Sequence, residues 1–90
     1  LVFLFLILLL AANAYANLTL FGRINATSIP PAAYVYVDGV YKAYTPRIIP
    51  NILPGTRQVR FVRSGYAPRN VTVNVLSGQL THVNVTLSAS

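Results

Sequence analysis

From Asn17 onward, apolar and polar residues alternate in short runs, and this alternation is the feature that most constrains the fold. Successive side chains of a β-strand point to opposite faces of the sheet, so an alternating run buries one face and exposes the other to water. Helical spacing of apolar residues is not sustained anywhere in this part of the chain. We therefore predict that residues 17–90 form an all-β domain.

The inward face of each strand can be read from the same alternation. In residues 17–28, one face carries Leu18, Leu20, Gly22, Ile24 and Ala26, and we predict that this face packs on the core. In the same way, residues 56–63 should direct Val59 and Phe61 inward. Two later runs each bury one side only, through Val71 and Val73 in residues 70–76 and through Val83 and Val85 in residues 81–87.

Turn signals separate these runs. Pro30-Pro31 cannot donate ladder hydrogen bonds and should divide the first two strands, and Asp38-Gly39 and Pro54-Gly55 favour tight turns. Ser77-Gly78-Gln79 predicts an antiparallel hairpin of residues 70–76 with 81–87, with Asn70 and Asn84 exposed on one surface. Turns this frequent predict a small β-sandwich-like module of about six or seven short, mostly antiparallel strands.

The first sixteen residues differ from the rest of the chain. Leu1 to Leu10 are all apolar, and Ala14 and Ala16 form the A-x-A pattern that precedes a signal-peptidase cut. Sixteen helical residues would reach only about 24 Å, less than the roughly 30 Å of a bilayer core. We predict a signal-peptide-like helical segment at 1–16 with few contacts to a β domain at 17–90. An alternative is a retained helix in the core of a pilus-like filament.

Charged residues limit the chemistry. The chain has a net charge of +6, with Asp38 as its one carboxylate side chain, His82 as its one histidine and no cysteine. Acid–base catalysis usually needs two titratable groups with different pKa values, and a structural metal site needs several ligands. We therefore expect no enzyme, no cofactor, no metal site and no disulfide. The positive charge should instead attract anionic partners.

Basic and aromatic residues mark a candidate interaction surface. It comprises Arg57, Arg60, Arg63, Arg69, Tyr34 and Tyr36. Such a mixture can bind single-stranded nucleic acid, but a signal peptide and the lack of a recognition motif argue against that partner. The remaining candidates are an acidic polysaccharide, a cell-envelope protein and self-association, while the simplest alternative is a solvated charged face.

Four N-x-T sequons give candidate glycosylation sites at Asn17, Asn25, Asn70 and Asn84. All four asparagines fall on the predicted polar face of a strand, where an oligosaccharide would meet water. The alternative is that Asn and Thr are ordinary polar strand residues whose alternation creates sequons.

Five short landmarks occur in a characteristic order: Pro30-Pro31-Ala32-Ala33, Asp38-Gly39, Thr45-Pro46, Pro54-Gly55 and Gly65-Tyr66. This order resembles the PEGA domain, a short β module of bacterial and archaeal surface and envelope proteins. The resemblance covers about Leu18 to Leu87. The family is named after a Pro-Glu-Gly-Ala segment, of which only the first and last residues match here, at Pro30 and Ala33. Ala32 stands in the place of the glycine, which would allow backbone angles that alanine resists.

The resemblance implies a β-sandwich-like fold and a structural or interaction role without catalytic residues. We therefore expect a secreted or cell-surface module that acts as a spacer, stalk or docking domain, with contact to a membrane only through residues 1–16 if they are not cleaved. The alternatives are the filament subunit and a carbohydrate-binding module that uses Tyr and Arg.

Overall fold

Alternating segments of the sequence form seven β-strands in the computed structural model, which describes residues 20–90. The strands are β1 (Gly22–Ile29), β2 (Tyr34–Val37), β3 (Val40–Tyr44), β4 (Arg47–Ile52), β5 (Gly55–Val62), β6 (Arg69–Val75) and β7 (Leu80–Thr86). The predicted all-β class and the number of strands are confirmed for this part of the chain. The predicted helix at 1–16, with its alternatives as leader or filament core, the Asn17 sequon and the predicted inward position of Leu18 lie outside the described residues. Residues 20–90 contain no helix capable of crossing a membrane.

Two sheets form the sandwich. One has three strands in the order β4-β1-β7, and the other has four strands in the order β3-β2-β5-β6. All neighbouring strands are antiparallel except β1 and β7, which are parallel. The predicted mostly antiparallel sandwich is therefore confirmed.

The core lies between the sheets and consists mainly of inward-facing strand residues, with Ala33 and Leu87 just outside the strands. Its buried hydrophobic side chains are Ile24, Ala26, Ala33, Val35, Val37, Ile49, Ile52, Val59, Phe61, Val75, Val83, Val85 and Leu87. The predicted inward faces of β1 and β5 are confirmed. Gly22 belongs to the same face because a Cβ there would lie 2.5 Å from Val75 Cγ1 and 2.6 Å from the Leu76 carbonyl oxygen. The two sheets therefore approach closely at this glycine.

The predicted hairpin of residues 70–76 with 81–87 is wrong. β6 pairs with β5, whereas β7 crosses to the other sheet and pairs with β1. The connection between them is held by the start of β1, since Gly78 N–H donates to the Phe21 carbonyl at 3.2 Å and Arg23 N–H donates to the Gln79 carbonyl at 2.9 Å. Either sheet can bury a strand with one apolar face, so the alternation alone does not select the partner strand.

This crossover also changes the predicted exposures. Val83 and Val85 are buried as predicted, but Val71 is only half-buried because β6 is an edge strand. Asn70 and Asn84 are exposed, yet they lie on the outer faces of opposite sheets instead of on one surface. Val73, which was predicted to be buried, is also only half-buried, like Val71. Leu20, predicted to face the core, is 63% exposed because it precedes the first residue of β1.

A chain of buried hydroxyl groups joins the two sheets where the backbone crosses between them. Ala33 N–H donates to Thr45 Oγ1 at 3.0 Å, the Thr45 hydroxyl lies 2.6 Å from Ser28 Oγ, and the Ser28 hydroxyl donates to the Pro30 carbonyl at 2.7 Å. Because Ser28 donates its proton to Pro30, Thr45 must donate to Ser28. Thr45 is 1% exposed, so water cannot reach its hydroxyl group. The hydrogen bonds within the protein therefore satisfy polar groups that would otherwise have no partner.

The segment from Pro30 to Ala33 is fixed by the same threonine. Ala32 N–H donates to the Thr45 carbonyl at 2.9 Å, and Thr45 N–H donates to the Ala33 carbonyl at 2.8 Å. These bonds hold Ala32 at a φ of 66°, in the left-handed region. The backbone conformation expected for a glycine is therefore adopted by an alanine, at a cost of about 1 kcal/mol.

The turn between β2 and β3 is built on Asp38 and Gly39, with φ angles of 49° and 82°. Asp38 Oδ1 accepts the backbone N–H of Gln58 at 2.9 Å, and its Oδ2 lies 3.0 Å from Arg57 Nη1. The Gln58 hydrogen bond and then the Arg57 guanidinium lower the pKa of Asp38 below its ordinary value. The predicted turn is thus confirmed and is tied to β5.

We predict that Thr45→Val lowers the free energy of unfolding by about 2 kcal/mol, because it leaves the buried Ala33 N–H without an acceptor. Thr45→Ser is the matched control: it keeps the hydroxyl, loses one methyl group and should cost about 1 kcal/mol. Urea unfolding measures both. A valine variant no less stable than the serine variant would contradict the role of the hydroxyl chain.

We predict that Ala32→Gly raises the free energy of unfolding by about 1 kcal/mol, since glycine adopts the left-handed backbone of this position without a Cβ clash. Ala33→Gly is the control, because Ala33 is fully buried and should lose stability when its methyl group is removed. Thermal unfolding of the two variants should shift in opposite directions. Shifts of the same sign would show that the left-handed backbone is not strained.

Stability should fall when the pH drops below about 4, near the ordinary pKa of an aspartate. The folded protein holds Asp38 at a lower pKa than the unfolded chain, so its contribution is present above the unfolded pKa and is lost as the pH falls through the folded pKa. Asp38→Asn should remove most of this dependence. The urea midpoints of the unchanged protein and the variant are measured between about pH 2 and 6. If the two midpoints changed equally with pH, the prediction would be refuted.

Candidate functional site

The four candidate arginines do not form one patch. Arg57 lies near the start of β5 and Arg63 directly follows its last residue, both in the inward register, whereas Arg60 points outward. Arg57 donates to the Leu53 and Pro54 carbonyls at 2.9 and 2.8 Å, and Arg63 donates to the Pro31 carbonyl at 2.9 Å. Arg69, at the start of β6, donates to the Thr86 carbonyl at 3.1 Å. Three of the four therefore bind the protein's own backbone.

The other three candidates come together on the outer surface of the four-stranded sheet. Tyr36 on β2 lies opposite Arg60 on β5, and Tyr34 lies two residues away on the same side of β2. Tyr41 on β3 completes the group. We call this surface the tyrosine face and define it by Tyr34, Tyr36, Tyr41, Gln58, Arg60 and Asn70.

The tyrosine rings of this face contact one another in edge-to-face geometry. The Tyr41 ring centroid lies 5.9 Å from that of Tyr34 and 5.8 Å from that of Tyr36, with interplanar angles of 68° and 69°. Such pairs stabilise each other beyond the area that they bury. Tyr34 and Tyr41 nevertheless remain about half exposed, at 52% and 49%. The rings therefore form a preorganised apolar surface that is open to solvent.

Polar groups with planar geometry lie beside the rings. Arg60 Nη1 is 3.4 Å from Asn70 Oδ1, and Gln58 Nε2 donates to Thr72 Oγ1 at 2.9 Å. A concavity of about 500 Å³ lies among Tyr36, Gly39, Gln58, Arg60, Val62 and Asn70. An aromatic ring next to guanidinium and amide groups can bind a ligand with one apolar face and several hydroxyl or carboxylate groups.

Tyr41 and Gln58 were not identified from the sequence as site residues, although one signal was available. A two-residue turn at Asp38-Gly39 places Val37 opposite Val40 and therefore Tyr36 opposite Tyr41. The position of Gln58 depends on the pairing of β2 with β5, which brings together segments distant in sequence. Asn70 was considered only as a sequon.

The described sequon asparagines differ in their surroundings. Asn25, half-buried in the middle strand β1, has its Nδ2 within 3.1 Å of His82 Nδ1. Asn70 and Asn84 are exposed and lie in the edge strands β6 and β7. His82 lies on the outer face of the three-stranded sheet, whereas Asp38 lies in a turn of the four-stranded sheet. Residues 20–90 contain no group of three His, Cys, Asp or Glu side chains that could hold a metal ion.

Comparison with protein families gives a match to the PEGA domain over residues 21–90. No curated protein matches the chain. The match begins just before β1 and includes all seven strands, the Pro30–Ala33 segment and the tyrosine face. The resemblance inferred from the five landmarks is confirmed: this chain belongs to the PEGA domain family.

Proposed function

We propose that this chain is a non-catalytic module of the cell exterior that contacts a cell-envelope partner through its tyrosine face. PEGA domains are generally extracytoplasmic, which supports the location. A signal-peptide-like segment at 1–16 agrees with it. Catalysis is disfavoured because Asp38, the one carboxylate side chain, is bound by Arg57 and Gln58.

The observation that carries the proposal is the half-exposed cluster of three tyrosine rings. Folding normally buries side chains of this size, and an exposed apolar patch in a small domain marks a contact surface. Tyrosine suits such a surface because its ring gives a large apolar area, its hydroxyl remains hydrated and it has few rotatable bonds to immobilise. Arg60 at the border adds a planar donor for an acidic group on the partner.

A carbohydrate-binding module is the second candidate, favoured by the concavity beside Tyr36. The apolar face of a sugar ring could stack on Tyr36, while Gln58, Arg60 and Asn70 bind its hydroxyl groups. Both candidates use the same surface, and they differ in the partner: a folded protein would cover all three tyrosines, whereas a sugar would occupy the concavity.

We also propose that any N-glycans are attached to Asn70 and Asn84 in preference to Asn25. Both are exposed in edge strands, where a bulky glycan would block the pairing of the edge with another chain. The acceptor nitrogen of Asn25 is instead engaged by His82. A glycan on Asn84, in the other sheet, would leave the tyrosine face free, whereas one on Asn70, which belongs to that face, would cover part of it.

The proposal predicts that Tyr36→Thr combined with Arg60→Gln releases the protein from isolated cell envelopes of its source organism. The envelopes are first extracted with non-ionic detergent, so that residues 1–16 cannot retain the chain through lipid. The bound fraction after sedimentation should fall by about tenfold, as expected when a central aromatic and an arginine are removed from an interface.

The matched control is Ile29→Thr combined with Arg23→Gln, which makes the same kinds of change on β1 of the three-stranded sheet, in neither candidate surface. Its binding should equal that of the unchanged protein. Equal loss from both variants would indicate nonspecific charge attraction and would contradict the tyrosine face as the contact surface. Unchanged binding of both variants would contradict it as well.

A further inference from the structure

A second surface lies at the side of the sandwich where the two sheets end. β3 and β4 are edge strands of different sheets, joined by Thr45-Pro46, and they do not pair with each other. Between them is a cavity of about 260 Å³. We call it the β3–β4 groove and define it by its lining residues Tyr41, Lys42, Tyr44, Arg47, Ile48 and Pro50.

The groove carries positive charge that no carboxylate side chain of residues 20–90 balances. Lys42 and Arg47 line it from β3 and β4, respectively. The one carboxylate side chain of the protein is Asp38, whose two oxygens are engaged by Gln58 and Arg57. Within residues 20–90, therefore, no carboxylate side chain is left to pair with Lys42 and Arg47, and the groove is suited to an anionic ligand.

Aromatic rings lie beside these charges. Tyr41 and Tyr44 are about half exposed, at 49% and 50%. The guanidinium carbon of Arg47 is 5.8 Å from the centroid of the Tyr44 ring, within cation–π range, so the ring holds the arginine in place before a ligand binds. This arrangement combines a flat apolar surface with fixed donors for a negatively charged group.

Both edges of the groove are unsuited to the addition of a peptide strand. β4 contains Pro50, which has no N–H to donate. In β3, Lys42 is the extra residue of a bulge, because Tyr36 pairs with Tyr41 and Val35 pairs with Ala43. A ligand of the groove should therefore be recognised through its rings and charges instead of through a peptide backbone.

We propose that the β3–β4 groove binds a carboxylated polysaccharide, with Lys42 and Arg47 pairing its carboxylates and Tyr44 stacking on a sugar ring. A sugar acid presents the two features that the groove matches, an apolar ring face and a carboxylate on the same unit. The choice of a polysaccharide over a nucleic acid rests on the extracytoplasmic location in the proposed function. The groove adjoins the tyrosine face, because it shares Tyr41 with that face and Tyr44 lies opposite Tyr34, but Lys42 and Arg47 belong to the groove alone.

Calorimetric titration of the full chain in non-ionic detergent with polygalacturonate, at about 0.15 M salt, tests this site. Lys42→Gln/Arg47→Gln should weaken binding by about tenfold or more. Arg23→Gln/Arg69→Gln removes the same charge from β1 and β6, outside both the groove and the tyrosine face, and should leave the affinity within about twofold of the unchanged protein. Thermal unfolding checks that both variants remain folded.

Each other outcome would overturn the proposal. Equal weakening in the two variants would mean diffuse charge attraction, and weakening only in Arg23→Gln/Arg69→Gln would place the ligand outside the groove. Failure of the unchanged protein to bind polygalacturonate would overturn the site but would leave the envelope-retention result unaffected. Polyglutamate that binds as tightly as polygalacturonate would show that the groove recognises charge without recognising the sugar.

Discussion

The hydrogen bond between the Ser28 and Thr45 hydroxyls is the interaction on which the rest of this structure depends. It lies where the chain passes from the three-stranded to the four-stranded sheet, and it is shielded from water. A buried hydroxyl without a partner costs free energy comparable to a lost hydrogen bond, so the bond acts mainly by excluding other arrangements of the two sheets. Through Ala33 it also sets where β2 begins.

Both candidate surfaces are consequences of this connection. The tyrosine face requires β2 to start at Tyr34, directly after the segment held by Thr45. The β3–β4 groove requires the chain to turn at Thr45 from the edge of one sheet to the edge of the other. A single buried threonine thus connects the core to two surfaces of different chemistry. One presents mainly tyrosine rings and amides, and the other presents two cations.

Much of the fold follows from the alternation of residues. The inward positions of Val59 and Phe61 and the turn at Asp38 were predictable because they depend on neighbouring residues only. The pairing of β6 and β7 was not, since Val71 and Val83 satisfy the same core from either sheet and the Gly78 turn binds to Phe21, far away in sequence. The hydrogen bonds between the β6–β7 connection and the start of β1 decide this pairing. They join segments far apart in the sequence, so a local residue pattern does not predict them.

The candidate site was predictable in part for the same reason. Arg57, Arg60 and Arg63 are three residues apart, so in a strand Arg60 must face away from the other two. Their separation was therefore implicit in the alternation. The meeting of Tyr36 with Tyr41 also follows from the two-residue turn, but the approach of Lys42 and Arg47 does not. It depends on two sheets meeting at one edge.

The hydrogen exchange rate of the Ala33 amide tests the central role of the hydroxyl chain most directly. Ala33 lies just outside a strand, and amides of ordinary loops exchange rapidly through local opening. If its bond to Thr45 Oγ1 holds the two sheets together, the Ala33 amide should exchange as slowly as those of Val59 and Phe61, through global unfolding only. Exchange at a rate typical of the exposed turn at Ser64 and Gly65 would contradict the account.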